Sequence, residues 1–245
     1  MKYTYLIYTH TEYSDVLQLT LKRMEKYFPI KVTIATNSRK ETLELCNDTT
    51  QIENIIEYED NIPYGSKLFS VLNNITTEYV LFNHDVNILF NYVDEDVLSD
   101  LVNIMSEKKI DSIRLSTSGV EDKKQKRENT TVNDINQIDS YQLTVQPTLW
   151  KTSSFLNICS NLREINYRDS ELEKGQYYAS KYKNCYISNI NDYHVVFNYY
   201  LAKCYPCMHS IYRGKWNILQ HPKEIKDLEE EYGINLMVRG FQYWD

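Results

Sequence analysis

The chain opens on six positions that are almost all apolar or aromatic, Tyr3-Thr4-Tyr5-Leu6-Ile7-Tyr8, a pattern that predicts a strand. A polar turn, Thr9-His10-Thr11-Glu12, follows. Val16, Leu17, Leu19, Thr20, Leu21 and Met24 then recur at helical spacing, with Ser14 or Asp15 as the expected cap. Pro29 closes that segment, and residues 31–36 read as a second strand. Residues 42–46 suggest a short helix, 55–58 a third strand, and 66–75 a helix whose apolar stripe is Leu68, Val71 and Leu72. Tyr79-Val80-Leu81-Phe82 is continuously apolar, as in a strand buried on both faces.

Strands alternating with helices in this order predict an α/β protein. Its Rossmann-like sheet should be mixed but mostly parallel, with helices on both faces. Such sheets bind ligands at the carboxyl ends of their strands. That rule singles out Thr9-His10-Thr11, Thr36-Asn37-Ser38 and Asn83-His84-Asp85-Val86-Asn87. One polar cluster is an ordinary turn; three converging on one edge make a site.

Further along, residues 93–105 form an amphipathic helical pattern and 111–115 a strand. Residues 120–140 are a polar, charged excursion or hairpin, and 143–150 resume strand character. Residues 171–182 look helical, and 225–232 are an acidic helix. No repeat or boundary divides the chain, so one domain over residues 1–245 is expected.

A length of 245 residues buries a substantial core without disulfide or metal staples. Six Gly and five Pro argue against linkers. The net charge of −7 disfavours a nucleic-acid partner, which would call for a basic stripe. The first residues lack the apolar core and small-residue cleavage site of a signal peptide. No run approaches the ~18–20 apolar residues of a membrane span, and the expected location is cytoplasmic or otherwise intracellular. Cys46, Cys159, Cys185, Cys204 and Cys207 are odd in number and scattered, which suits free thiols. Cys204-x-x-Cys207 would need Cys185 and His209 to complete a zinc site, and it reads as two incidental thiols. His194 and His221 read as structural or surface residues. The 22 tyrosines accompany abundant Lys, Asn and Ile, and compositional bias accounts for them without an aromatic platform.

Motifs narrow the chemistry. The chain has no G-x-G-x-x-G, no P-loop, no G-x-S-x-G and no H-E-x-x-H. What remains is Asp85 directly after the most apolar strand, with His84 before it and Asn87 two residues on. All three side chain types ligate Mn2+ or Mg2+, and Asp85 alone is charged.

In this stretch the sequence resembles the GT-A glycosyltransferases, in particular the inverting family 2-like group. There a buried strand runs into an acidic D-x-D signature that holds a divalent cation; here the motif is reduced to Asp85. The resemblance continues through Ile62-Pro63-Tyr64-Gly65-Ser66-Lys67-Leu68 on the donor side. On the acceptor side it includes Gln146-Pro147-Thr148-Leu149-Trp150-Lys151 and Arg168-Asp169-Ser170-Glu171. Met208-His209-Ser210 and Arg213-Gly214-Lys215-Trp216-Asn217 resemble a closing segment.

The resemblance implies a single GT-A domain with a nucleotide-binding half, 1–90, and an acceptor half with its closing segment, 91–245. It implies a hexosyltransferase-like enzyme that moves a sugar from a UDP or GDP sugar to a hydroxyl acceptor such as a glycan, with inversion. Asp85, Asn87 and His209 would hold Mn2+ or Mg2+. Thr9, His10, Asn37, Lys67, Asn83, Arg213 and Lys215 would bind the nucleotide sugar. Glu171, ahead of Asp169, would be the carboxylate base. Two alternatives stand beside this. A nucleotidyltransferase of similar fold would carry a Gly-rich basic loop where this chain has Thr9-His10-Thr11-Glu12. A catalytically inert homologue would bind sugar or protein without turnover.

Overall fold

The computed structural model describes residues 3–115, 132–134, 142–187 and 204–242. The strands in chain order are β1 (Tyr3–Tyr8), β2 (Val32–Thr36), β3 (Ile52–Glu57), β4 (Tyr79–His84), β5 (Asn87–Leu89), β6 (Ser112–Arg114), β7 (Val132–Asp134), β8 (Thr148–Lys151) and β9 (Asn184–Ile187). All but β5 join one eight-stranded sheet in the order β3-β2-β1-β4-β8-β6-β9-β7. Strands β3, β2, β1 and β4 are mutually parallel, while β8 runs antiparallel to both its neighbours. Strand β6 pairs parallel with β9, and β7 closes the far edge antiparallel to β9. The sheet is therefore mixed and mostly parallel.

Helices α1 (Ser14–Tyr27), α2 (Arg39–Leu45), α3 (Tyr64–Leu72), α4 (Glu95–Lys108), α5 (Thr152–Asn161), α6 (Tyr167–Ser170) and α7 (Glu173–Ala179) connect the strands. Side chains alternate along a strand, so a fully apolar β4 must be covered twice. Tyr79 and Leu81 pack with Leu17, Leu21 and Met24 of α1 and with Leu98, Leu101 and Met105 of α4. Val80 and Phe82 pack on the other face with Leu68 and Val71 of α3 and Phe155 and Ile158 of α5. There Trp150 stacks on Phe155 with ring centroids 4.8 Å apart. Gly65 lets α3 approach the end of α5: a Cβ at this position would lie 1.9 Å from the Leu162 carbonyl oxygen.

A third apolar cluster forms outside α1. The later segment β10 (Cys207–His209), β11 (Ile211–Tyr212), β12 (Lys215–Trp216) and α8 (Pro222–Tyr232) returns to the first half of the chain. Strand β10 pairs antiparallel with β5, opposing His209 to Asn87. Met208, Trp216, Ile225 and Leu228 bury Val16 and Leu19 of α1. Among the described residues, no helix is long and apolar enough to cross a membrane.

Three local expectations change. Ser14 and Asp15 lie inside the first turn of α1 and do not cap it; a 3-10 turn at Thr11–Tyr13 precedes the helix, and the His10 side chain caps that turn. The strand expected over 143–150 contracts to Thr148–Lys151. Upstream, backbone groups are claimed by side chains: Leu143 exchanges hydrogen bonds with Gln176 at 3.0 and 2.8 Å, and the Val145 N–H donates to Glu171 at 2.8 Å. The helix expected over 171–182 contracts to α7, Glu173–Ala179, and the short α6 precedes it. Of the 120–140 excursion, only β7 is described, and the rest, like His194, lies outside the described residues.

Candidate functional site

The carboxyl ends of β1, β2 and β4 lie side by side, and the three polar clusters meet there. Thr9 continues β1, and its N–H donates to Ala35 O at 2.9 Å. The Asp85 N–H in turn donates to Tyr8 O at 3.2 Å. Asp85 is 3% exposed. The Thr9 hydroxyl donates to its Oδ2 at 2.5 Å, and Thr20 of α1 donates to its carbonyl at 2.6 Å. Burial pushes the Asp85 carboxyl up to about 7, although Thr9, the Val86 N–H and nearby Arg239 favour its charged form. A carboxylate desolvated so far gains strongly from a cation partner.

Asn37, at the end of β2, ties that strand to the turn after β1. Its Oδ1 accepts from the Thr11 N–H at 2.9 Å, and its Nδ2 donates to the Thr11 hydroxyl at 3.2 Å. His10 and Lys67 converge on Asp60, a residue sequence reasoning did not select. The distances are 3.1 Å from His10 Nε2 and 2.8 Å from Lys67 Nζ, and both partners hold the Asp60 carboxyl below its ordinary value. Lys67 also lies over the Tyr58 ring, 5.2 Å from its centroid.

Asn83 faces away from this edge. It is 0% exposed, and its amide donates to Tyr5 OH at 3.0 Å and Tyr205 OH at 3.3 Å beneath the sheet. Its carbonyl accepts from Asn87 Nδ2 at 3.0 Å, and Asn87 Oδ1 lies 3.3 Å from His209 Nδ1. Burial lowers His209 to about 4, so the ring is neutral at pH 7.

Strand pairing sets His209 against Asn87, two residues on from Asp85, but Asn87 spends both ends of its amide on Asn83 and His209. No group of three His, Cys, Asp or Glu side chains that could hold a metal ion occurs among the described residues. A cation at this place would be held by Asp85 and would have to draw its remaining ligands from outside these side chains.

Glu171 sits at the C-cap of α6 and is half-buried. Its Oε1 accepts from the Val145 N–H, and burial raises its carboxyl above the ordinary value against the pull of that bond and of Thr144. Glu171 lines a pocket with Tyr64, Gly65, Leu68 and Thr144. The Tyr64 hydroxyl in turn shares a 2.9 Å hydrogen bond with His84, the neighbour of Asp85. Asp169 lies on α6 and is exposed.

Arg213 and Lys215 are exposed on the β11–β12 hairpin. Its two turn residues, Arg213 and Gly214, have φ of 50° and 79°, as a two-residue hairpin with matched twist requires. Arg239 was not singled out from sequence. It pairs with Asp15, donates to Glu12 O at 2.7 Å, and lies near enough to Asp85 to stabilise its charged form. Cys204 and Cys207, like the other three cysteines, are buried and form no disulfide.

This arrangement has known counterparts in architecture. Staphylococcus aureus TarS, residues 1–349, superimposes with a TM-score of 0.51 at 13% identity over 94% of this chain and 64% of that one. The chain therefore spans about two thirds of that TarS fragment. The same TarS fragment in complex with UDP-GlcNAc gives 0.52 at 16% identity, over 77% of this chain and 56% of that one. A UDP-glucose pyrophosphorylase complexed with UDP-glucose gives 0.51 at 11% identity, over 94% and 98% of the two chains.

The chain has a GT-A-type fold.

No protein-family model matches it, and no curated protein matches its sequence. Among the structures that share this GT-A-type fold are enzymes that use nucleotide sugars both as transferases and as nucleotidyltransferases.

Proposed function

We propose that the chain is a glycosyltransferase that moves a sugar from a UDP or GDP sugar to a hydroxyl acceptor, with inversion at the sugar carbon. The whole described chain works as one catalytic unit, residues 1–90 supplying most of the donor side. One observation carries this reading. A buried carboxylate, Asp85, directly follows the central strand, and a half-buried carboxylate, Glu171, lines a pocket with Tyr64, whose hydroxyl bonds His84, the residue before Asp85. The two acids take different roles because their surroundings differ.

Asp85, oriented by the Thr9 hydroxyl, would hold Mn2+ or Mg2+, and the cation would neutralise charge on the departing diphosphate. His209, neutral and bonded to Asn87, belongs to the strand pairing that follows Asp85. Asn37, Thr9, His10 and Lys67 border the nucleotide, and the exposed Arg213 and Lys215 reach phosphate oxygens. Glu171 takes the proton of the attacking hydroxyl. Its raised carboxyl makes it a stronger base than a solvated glutamate, and the Val145 N–H and Thr144 fix its direction. Asp169 lacks such a fix.

The nucleotidyltransferase reading needs a Gly-rich, Lys/Arg-bearing loop after β1 to grip a triphosphate. The turn here is Thr9-His10-Thr11-Glu12, drawn inward by Asn37 and Asp60. That favours transfer from a finished nucleotide sugar. The test is thermal stability with UDP and GDP, each with and without Mn2+. At ~100 times the dissociation constant a bound nucleotide stabilises by about 2.7 kcal/mol, with the larger shift expected when Mn2+ is present. Absence of a shift with any nucleotide at saturating cation overturns the proposal in favour of an inert homologue. Pyrophosphate release from a nucleoside triphosphate and a sugar phosphate overturns it in favour of the nucleotidyltransferase.

A further inference from the structure

Composition gave no reason to read the tyrosines as a platform, yet four of them assemble into one row across the site. Tyr58 stacks on Tyr8 with centroids 5.0 Å apart and planes 2° from parallel. Tyr8 meets Tyr64 edge-on at 5.3 Å, and Tyr64 meets Tyr167 edge-on at 5.0 Å. His84 sits in the middle, 5.1 Å from Tyr8 and 5.8 Å from Tyr167. The row runs from the end of β3 on the nucleotide side to α6 on the acceptor side. Tyr8, Tyr58 and Tyr64 are buried, and Tyr167 is 43% exposed.

We propose that Tyr167 is the stacking platform for a pyranose acceptor, which makes the acceptor of this transferase a carbohydrate. This inference rests on the transferase reading above. Tyr167 and Glu171 are four residues apart along α6 and its cap, and every residue between them is helical, so they share one side of the turn. Both border Tyr64: the Tyr167 ring packs on it, and Glu171 lines the same pocket. A sugar ring laid on Tyr167 therefore places a ring hydroxyl within reach of the proposed base.

The chemistry of the rim matches. A pyranose offers an apolar C–H face and a girdle of hydroxyls. Tyr167 offers a ring braced from behind by Tyr64 and His84, which therefore pays little entropy on binding. Asn166 at the N-cap of α6 and Arg168 and Asp169 on it, all exposed, offer donors and acceptors around the ring. Tyr64, buried and bonded to His84, holds the platform in place and does not itself meet solvent.

Saturation-transfer NMR with a panel of methyl glycosides and short oligosaccharides tests this directly, because it reads sugar contact without turnover. The full chain is compared with Tyr167→Ala and Tyr167→Phe, and UDP and GDP binding is measured on each. The expected result is contact through one C–H face of a glycoside. Tyr167→Ala should weaken its binding about tenfold, Tyr167→Phe should retain it, and nucleotide affinity should be unchanged in both. Thermal melting checks that the alanine variant is folded. Sugar contact that survives Tyr167→Ala in a folded variant overturns the proposal, as does nucleotide binding with no glycoside contact at all. A peptide hydroxyl acting as the better acceptor in a transfer assay overturns it too. If glycosides bind through Tyr167 but no nucleotide binds, the platform stands and the transferase reading fails.

Discussion

Replacing Asp85 by asparagine should make the cation-free protein more resistant to unfolding at alkaline pH while removing its cation-dependent donor binding. The unfolded chain releases the Asp85 proton near its ordinary value of 3.8, whereas the folded chain holds it to about 7 because burial disfavours the charge. Between those values the folded state binds more protons than the unfolded one, so stability falls as pH rises and levels off above about 7. At about 1.4 kcal/mol per pH unit, the penalty approaches 4 kcal/mol on the plateau. Asparagine keeps an oxygen for the Thr9 hydroxyl, and its amide adds a cost that does not vary with pH. Relative to wild type, Asp85→Asn should therefore gain about 2–3 kcal/mol between pH 5 and pH 8, roughly 5–10 °C in melting temperature for a chain of this size. Urea and thermal unfolding of both proteins at the two pH values give the difference directly, since every other titrating group cancels. Mn2+ should stabilise wild type at pH 8 and leave the variant unmoved. A wild-type-to-variant separation that stays constant from pH 5 to pH 8 would refute the reasoning, because it would mean that Asp85 is as ionised in the fold as outside it.

Glu171→Gln should lower kcat about 10²- to 10⁴-fold with donor affinity nearly intact, as loss of a general base does, whereas exposed Asp169→Asn should retain transfer; calorimetry beside a transfer assay separates the two. Gly65→Ala should destabilise the chain by about 2 kcal/mol or more in urea unfolding, because the new Cβ meets the Leu162 carbonyl carbon at 2.5 Å and backbone has to move.

The first four strands were legible because each is a short apolar run closed by a polar turn, and the parallel order follows from the helices between them. The three polar clusters were legible for the same reason, since strand ends in a parallel sheet share an edge. What escaped depends on contacts that leave no local mark. Arg239 reaches Asp15 across 224 residues of chain, and Asp60 is one acid among several in a polar loop. Residues 143–147 look like a strand because Leu143 and Val145 alternate with polar positions, but side chains of Gln176 and Glu171 occupy the hydrogen bonds a neighbouring strand would need. Asn83 illustrates the period of two. It belongs to the strand-end cluster in sequence, yet its place on β4 turns it to the Tyr5 face while His84 takes the opposite one.

The distribution of positive charge around Asp85 bears on how a diphosphate would be accommodated. His84 and His209, which burial lowers to about 3 and about 4, are neutral at pH 7. Lys67 is committed to Asp60 and Arg239 to Asp15. The exposed Arg213 and Lys215 sit in high dielectric, where a phosphate contact contributes little. A diphosphate brought to Asp85 would thus meet a carboxylate before it met an uncommitted buried cation. Like charges in a desolvated site repel strongly. Two remedies are chemically open: a divalent cation between carboxylate and phosphate, or transfer of Arg239 from Asp15 to the phosphate. The first acts on Asp85 itself and removes the burial penalty that lifts its carboxyl; the second leaves that penalty in place and unpairs Asp15. For the proposed transferase, electrostatics would therefore favour a donor that arrives with its cation, even though the chain presents a single acid where a fuller metal motif would have two.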